Sequence, residues 1–135
     1  MSGEWADPVA RAREELAAAR ELLAGGFPSQ ALSRAYYAGL QVAVAALAVV
    51  DETAATEAGV ISAFGRRVLG QDGVDHEVGR TLRKLYEDRN DVDYALLDAP
   101  VDEAEKAVAG AEVLVETTAR WMEGRQGPRR ASGRT

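Results

Sequence analysis

The chain has 135 residues, a formal net charge of −6 and no cysteine, so it has room for one domain and can form neither a disulfide framework nor a thiolate metal site. Hydrophobic residues make up 47% and charged residues 28%, a balance that excludes wholesale disorder. Only two Phe and two Trp stand among many Ala, Leu and Val. Such a composition is typical of packed helices, and a reducing cytoplasm is the expected setting.

Basic residues are concentrated at the C-terminus. Residues 124–135 hold four Arg and no acid, so the preceding 123 residues hold 12 basic and 22 acidic side chains. Because a body this acidic repels phosphate backbones, any RNA contact must be local, supplied by the C-terminal segment or shared with a partner. We expect one domain over residues 1–123 and a disordered basic tail over residues 124–135.

The first half of the chain predicts two helices. Asp7 and Pro8 suit the N-cap and first turn of a helix that Gly25 and Gly26 end. With Ser29 as its cap, a second helix is predicted from about residue 30 to residue 50. This second helix is apolar on most sides, so we expect it at the centre of the protein, covered by several neighbours.

No segment in the first half of the chain is predicted to be a signal peptide or a membrane span. The first fifteen residues are too acidic and polar for a signal peptide. The most apolar run, residues 36–50, is too short to span a bilayer. We therefore expect a soluble protein with no membrane partner.

Three further helices are predicted in the second half. The spacing of apolar residues indicates a third helix at about residues 57–69, a fourth from about residue 75 and a fifth at about residues 101–122. Glycines in residues 70–73 and Pro100 separate them. With no internal repeat and no strand pattern, the expected fold is all-α, an antiparallel four- to five-helix up-and-down bundle.

The fourth helix carries an arginine on its apolar face. Val78, Leu82 and Leu85 define that face, and Arg89 falls in the same register, with Asp93 four residues later. A guanidinium on an inward face needs a partner, because burying it unpaired is very costly. Two interpretations stay open: Arg89 and Asp93 form a structural pair that fixes the register of the bundle, or Arg89 binds phosphate in a cleft.

The second helix carries one polar stripe on an otherwise apolar surface. Gln30, Arg34, Tyr37 and Gln41 recur there at helical spacing. A tyrosine in a core usually needs only one hydrogen bond for its hydroxyl, so the stripe alone has a structural explanation. Together with Arg89, however, it could line a small pocket suited to a phosphate or a base.

Three runs of sequence resemble a known family. The run Ala31–Ala38 (Ala-Leu-Ser-Arg-Ala-Tyr-Tyr-Ala) is similar to the tyrosine-rich second helix of small bacterial HEPN proteins, and Gly59–Gly65 to the segment that follows it in one uncharacterised branch. The run Leu85–Tyr94 resembles the signature of that branch, an Arg followed by Asp-Tyr. Order and spacing agree over roughly residues 10–122.

The resemblance implies a helical bundle that forms a homodimer, with the arginine motif near the dimer cleft. Many HEPN proteins are metal-independent ribonucleases, and many small ones are toxins encoded beside a nucleotidyltransferase-like antitoxin. In the catalytic members the motif is Arg, a polar residue, three variable residues and His. Arg89 and Asn90 match the first two positions, and Tyr94 stands where His is expected.

The tyrosine weakens the expectation of ribonuclease activity. A group with a pKa near neutral is best suited to take the proton of an attacking 2′-hydroxyl, whereas a tyrosine titrates near 10. The only histidine, His76, lies near the start of the fourth helix and is interpreted as a surface or capping residue. The resemblance therefore carries the fold to this chain more strongly than the activity.

The leading hypothesis is a HEPN-type component of a toxin–antitoxin or nucleotidyltransferase-associated module that binds, and could cleave, RNA or a nucleotide. The candidate catalytic residues are Arg89, Asn90, Asp93 and Tyr94. The candidate residues for binding RNA or a nucleotide are Arg34, Tyr37, Gln41 and Arg89. No cofactor and no metal are expected, since one histidine cannot supply a di-iron bundle. The alternatives are a non-catalytic helical dimer that docks a protein and a nucleotide-sensing module.

Overall fold

The structure, a computed structural model, describes residues 7–71 and 73–133, with side chains described as far as residue 125. Within these residues the fold has five α-helices and no strand, which confirms the predicted all-α bundle. The helices are α1 (Pro8–Ala24), α2 (Pro28–Val49), α3 (Glu57–Arg67), α4 (His76–Asp93) and α5 (Val101–Gly133).

The second helix, α2, is the centre of the bundle. It packs against each of the other four helices, and ten of its residues are buried, mostly small or branched apolar side chains. By length and composition α2 could cross a bilayer, but half of its most apolar window is already buried against its neighbours. That burial is what a core helix of a folded bundle shows, and it agrees with the central position predicted from the sequence.

Side-chain pairs show the antiparallel arrangement. Arg13 and Arg20 of α1 pair with Glu116 and Glu112 of α5, so the residue numbers rise along α1 as they fall along α5. In the same way Ser33 and Tyr37 of α2 meet Asp93 and Arg89 of α4. The second of these antiparallel pairs of helices carries the residues of both sequence motifs.

Three of the five helices, α1, α3 and α4, begin with a capping side chain. Asp7, Thr56 and Asp75 each accept a hydrogen bond from a backbone N–H of the helix they precede. The prediction for α2 was wrong: the helix begins at Pro28, one residue before the predicted cap, so Ser29 lies inside it. The Ser29 hydroxyl instead accepts a hydrogen bond from the backbone N–H of Ala99 at 3.0 Å and ties α2 to the chain before α5.

The last helix is longer than predicted. The sequence placed its end near residue 122, where apolar periodicity stops, whereas α5 continues to Gly133 through part of the segment predicted to be disordered. The sequence did not predict this extension, because Gly127 and Pro128 are among the poorest helix formers. The division into a domain over residues 1–123 and a basic tail stays a prediction, and residues 134–135 lie outside the described residues.

Candidate functional site at the end of the fourth helix

The guanidinium of Arg89 lies in the interior. Arg89 is 2% exposed, and two nitrogens of its guanidinium bind partners from other helices. Nη1 donates to the hydroxyl of Tyr37 at 2.7 Å, and Nη2 donates to Oε1 of Glu57 at 2.5 Å. The predicted inward position of Arg89 is therefore observed, and its charge is compensated by a carboxylate from the start of α3.

Three aromatic rings surround the same guanidinium. The central carbon of Arg89 lies 4.6 Å from the ring centre of Tyr36 and 5.4 Å from those of Tyr37 and Tyr94. A cation this close to aromatic faces is stabilised by their quadrupoles, more so where water is excluded. The cluster of Tyr36, Tyr37, Glu57, Arg89 and Tyr94, together with Asp93, is named the arginine cluster.

Glu57 is the shared acceptor of the arginine cluster. Its Oε1 accepts one hydrogen bond from Arg89 and a second, at 3.0 Å, from the hydroxyl of Tyr36. Burial and the hydrogen bond to Glu57 raise the pKa of Tyr36 well above the usual value for a tyrosine. Burial lowers the pKa of Arg89, but the bond to Glu57 and its negative charge raise it more, so Arg89 stays charged.

Asp93 lies at the edge of the arginine cluster. Its Oδ2 is 4.0 Å from Nε of Arg89, which is the neighbour relation that the four-residue spacing predicted. Its Oδ1 accepts a hydrogen bond from the hydroxyl of Ser33 at 2.9 Å. Nε of Arg89 itself is buried without a hydrogen-bond partner, so the ion pair with Asp93 is a loose one. The closer carboxylate is that of Glu57.

The remaining α4 candidates lie on either side of the helix end. Asn90 is half-buried, and its backbone carbonyl accepts a hydrogen bond from the N–H of Tyr94 at 2.9 Å. Tyr94 is the C-cap residue of α4 and is 74% exposed, so its ring lies against Arg89 while most of its surface faces solvent. Tyr94 is thus the member of the arginine cluster that a ligand can reach most easily.

The candidates on α2 divide into two groups. Tyr37 is part of the arginine cluster through its hydroxyl. Arg34 is exposed and pairs with Glu15 of α1 at 3.0 Å, although it lines the same surface cleft as Asp93. Gln41 lies one turn beyond Tyr37, with its Oε1 buried and without a hydrogen-bond partner. The structure therefore joins Tyr37 to Arg89 and leaves Arg34 and Gln41 outside the arginine cluster.

Glu57 is the residue that the sequence analysis missed. It occupies the first position of α3 after the cap Thr56, which is an ordinary place for an acidic residue at a helix start. Nothing in its spacing points to Arg89, because the turn over residues 51–56 sets where α3 begins in space. The available signal was indirect: a buried guanidinium requires a carboxylate from some other element.

The structure also shows the position of the histidine and the grouping of possible metal ligands. His76 is the first residue of α4 and is exposed, roughly 20 Å along the helix from Arg89 at 1.5 Å per residue. Over the described ranges 7–71 and 73–125, no three His, Asp or Glu side chains are grouped in a way that could hold a metal ion. The side chains at this end of α4 offer guanidinium, amide, carboxylate and phenol groups.

Comparison with known proteins identifies the family of this chain. A family model described as the HEPN domain matches residues 6–121. A candidate toxin of Methanocaldococcus jannaschii is 32% identical over 105 residues, which cover 78% of this chain and 78% of the relative. The family model spans all of α1 to α4 and most of α5, including the residues of the arginine cluster. The chain belongs to the HEPN family.

Proposed function

We propose that this HEPN protein is the toxin component of a two-component module and acts on RNA or a nucleotide at the arginine cluster. The observation that carries the proposal is the hydrogen bond between Tyr37 and Arg89, with Tyr94 against the same guanidinium, because it unites the motifs of α2 and α4 in one place. Membership of the HEPN family and the likeness to a candidate toxin support it.

The chemistry that fits these groups is metal-independent cleavage of RNA. The 2′-oxygen attacks the adjacent phosphorus and gives up its proton, the bond from phosphorus to the 5′-oxygen breaks, and that oxygen gains a proton. In this proposal the carboxylate of Asp93 takes the first proton and the phenol of Tyr94 supplies the second. The products are a 2′,3′-cyclic phosphate and a 5′-hydroxyl.

The other candidate residues bind the RNA or position the groups that react. Asn90 and Arg34 donate hydrogen bonds to phosphate oxygens from the two sides of the helix end, and Gln41 extends the polar stripe along α2. Arg89 is buried and acts through others, because it holds the hydroxyl of Tyr37 and the ring of Tyr94 in place. Arg89 is therefore a positioning residue in this proposal.

The test is incubation of the purified protein with mixed RNA substrates in EDTA. Tyr94→Phe and Asp93→Asn should each lower the cleavage rate by about a hundredfold or more, the usual loss when an acid or base is removed. Arg80→Ala is the control, since Arg80 is an exposed arginine of α4 that pairs with Glu77 far from the arginine cluster. Absence of cleavage by the folded wild type, or equal loss in Arg80→Ala, would contradict the ribonuclease function.

A second function is favoured by the burial of Arg89. With both Nη atoms bonded inside the protein, the arginine can be a purely structural group of a non-catalytic interaction or nucleotide-sensing module. Under that function Tyr94→Phe changes no activity, and Arg89→Ala lowers the melting temperature. A rise in melting temperature with millimolar mononucleotide would favour the sensing form, through binding to the folded state alone. No shift with any nucleotide would count against it.

The proposal includes a setting for the protein. We propose a homodimer and a nucleotidyltransferase-like antitoxin as partner, both carried over from the family, and a cytoplasmic location, which the absence of cysteine favours. Light scattering of the purified chain at micromolar concentration tests the dimer. A strictly monomeric mass would remove the homodimer from the proposal without affecting the assignment of the arginine cluster.

A further inference from the structure

An open groove runs beside the arginine cluster. A cleft of about 530 Å³ lies between the first turns of α2 and the connection from α4 to α5. A smaller cavity of about 180 Å³ continues it toward the start of α5. The two share Val92, Leu97 and Asp98, so they form one continuous surface, named the α4–α5 groove.

Carboxylates dominate the α4–α5 groove. Its charged lining residues are five acids and one base: Asp88, Asp91, Asp93, Asp98, Glu103 and Arg34. The base is already paired, since Arg34 binds Glu15 of α1 at 3.0 Å. The groove therefore presents a negative field that repels phosphate and attracts cations.

Two of these carboxylates have no cation beside them. Asp88 is bound by Lys84 at 2.9 Å. Asp91 and Asp98 are exposed and form no ion pair with any residue in the described part of the chain. They lie on the two sides of the groove, one on α4 and one on the connection to α5. Their charges are free to meet basic groups of a bound molecule.

The groove also has apolar walls that face solvent. Leu97 is 56% exposed and Leu96 is 83% exposed, while Val92 is half-buried and Leu32 is buried beneath them. Leu96 has a φ of 60°, a left-handed backbone conformation that residues other than glycine rarely adopt. Large exposed apolar side chains with a charged rim are typical of surfaces that bind another protein.

We propose that the α4–α5 groove binds a cationic segment of a partner protein that carries a large apolar side chain between basic residues. The apolar side chain covers Leu97 and Val92, and the flanking basic groups meet Asp91 and Asp98. Charge complementarity selects this occupant, because the same carboxylates disfavour RNA. The proposal does not rest on the proposed function, but the groove shares Arg34 and Asp93 with the site proposed for RNA, so the two ligands exclude each other there.

Fluorescence anisotropy with a short labelled peptide, two leucines between two pairs of arginines, tests the proposal. The wild-type protein should bind it, and the double variant Asp91→Asn/Asp98→Asn should bind about tenfold or more weakly. Leu97→Ser should weaken binding to a similar degree. The matched control is Glu21→Gln/Glu123→Gln, which removes the same two charges from exposed positions outside the groove and should bind like the wild type.

Several outcomes would overturn the proposal. Equal weakening in the control variant would show attraction to the overall charge alone, and equal binding of a peptide with serines in place of the leucines would remove the apolar contact. A wild-type dimer that Leu97→Ser converts to a monomer would show that a second copy fills the groove. Labelled RNA whose binding is lost in Leu97→Ser would make the occupant a nucleic acid. Melting curves of each variant exclude loss of the fold as the cause.

Discussion

The arginine cluster is a case of a charge stabilised by one carboxylate and several aromatic rings. Arg89 is almost fully enclosed, whereas the side chain of its partner Glu57 keeps 38% of its surface in water. Removing Arg89 and removing Glu57 should therefore have different effects on stability. A carboxylate left near solvent regains hydration, whereas a guanidinium left in the interior stays uncompensated.

Removing Glu57 should destabilise the protein, and removing the arginine as well should restore it. We expect Glu57→Ala to lower the free energy of unfolding by about 3 kcal/mol, because the buried Arg89 loses its closest anion. The double variant Glu57→Ala/Arg89→Met should recover most of that loss, since methionine fills similar space without a charge. Urea unfolding of the wild type, Glu57→Ala, Arg89→Met and the double variant measures this recovery. A double variant less stable than Glu57→Ala would contradict the electrostatic explanation.

The raised pKa of Tyr36 predicts a loss of stability at high pH. Below pH 10 both the folded and unfolded states keep the phenol proton. Above it the unfolded chain loses the proton while folded Tyr36 keeps it, so the free energy of unfolding falls by up to about 1.4 kcal/mol per pH unit. Tyr36→Phe should have a shallower slope between pH 9.5 and 11 by urea unfolding, roughly the range that brackets the ordinary tyrosine value. Equal slopes would show that Tyr36 ionises normally.

The sequence predicted part of this cluster. Helical spacing placed Arg89 inward and Asp93 beside it, and Tyr37 was named as a partner across the helices. Glu57 could not be found in this way, because spacing along a helix says nothing about where a separate helix begins. The capping position of Tyr94, which leaves its ring against Arg89 and its surface exposed, likewise depends on where α4 ends.

At the scale of the elements, local chemistry predicted helix starts better than helix ends. The cap at Asp7 was predicted because a short polar side chain satisfies free backbone N–H groups, and the fourth helix was predicted to start at about residue 75, where Asp75 caps it. The end of α5 was not predicted, since Gly127 and Pro128 disfavour the helix that continues through them. Ser29 was misassigned because Pro28, directly before it, occupies the first helical position.

Gly39 marks the closest approach of α2 to its neighbours. A Cβ at Gly39 would lie 2.8 Å from Cδ2 of Leu114 and 3.4 Å from Cδ1 of Leu82. Gly39→Ala should lower the free energy of unfolding by about 1–2 kcal/mol, because crowding at the crossing of α2 with α4 and α5 exceeds the gain in helix propensity. Gly124→Ala, with no atom within 4 Å of its added Cβ, should raise it slightly. Chemical denaturation that finds Gly39→Ala as stable as the wild type would contradict the tight crossing.

At the scale of the whole molecule, the acidic body limits how RNA can be held. With the first 123 residues at a net charge of −10, only a few local phosphate contacts are available outside the basic C-terminal segment. We expect the logarithm of the RNA-binding constant to fall with the logarithm of salt concentration at a slope of about −0.7 to −1.4, which corresponds to one or two phosphate contacts for single-stranded RNA. Arg34→Ala should make the slope shallower by about 0.7. If Arg34→Ala leaves the slope unchanged and removal of residues 124–135 abolishes it, the phosphate contacts are made by the C-terminal segment instead.

The most direct measurement is a titration of the isotopically labelled protein with a short RNA oligonucleotide in EDTA, followed by amide chemical shifts. Binding at the arginine cluster predicts shifts concentrated at the amides around Tyr37, Asn90 and Tyr94, and loss of those shifts in Tyr94→Ala with the rest of the spectrum intact. Shifts confined to the C-terminal segment, or none at millimolar RNA, would contradict an RNA site at the end of α4.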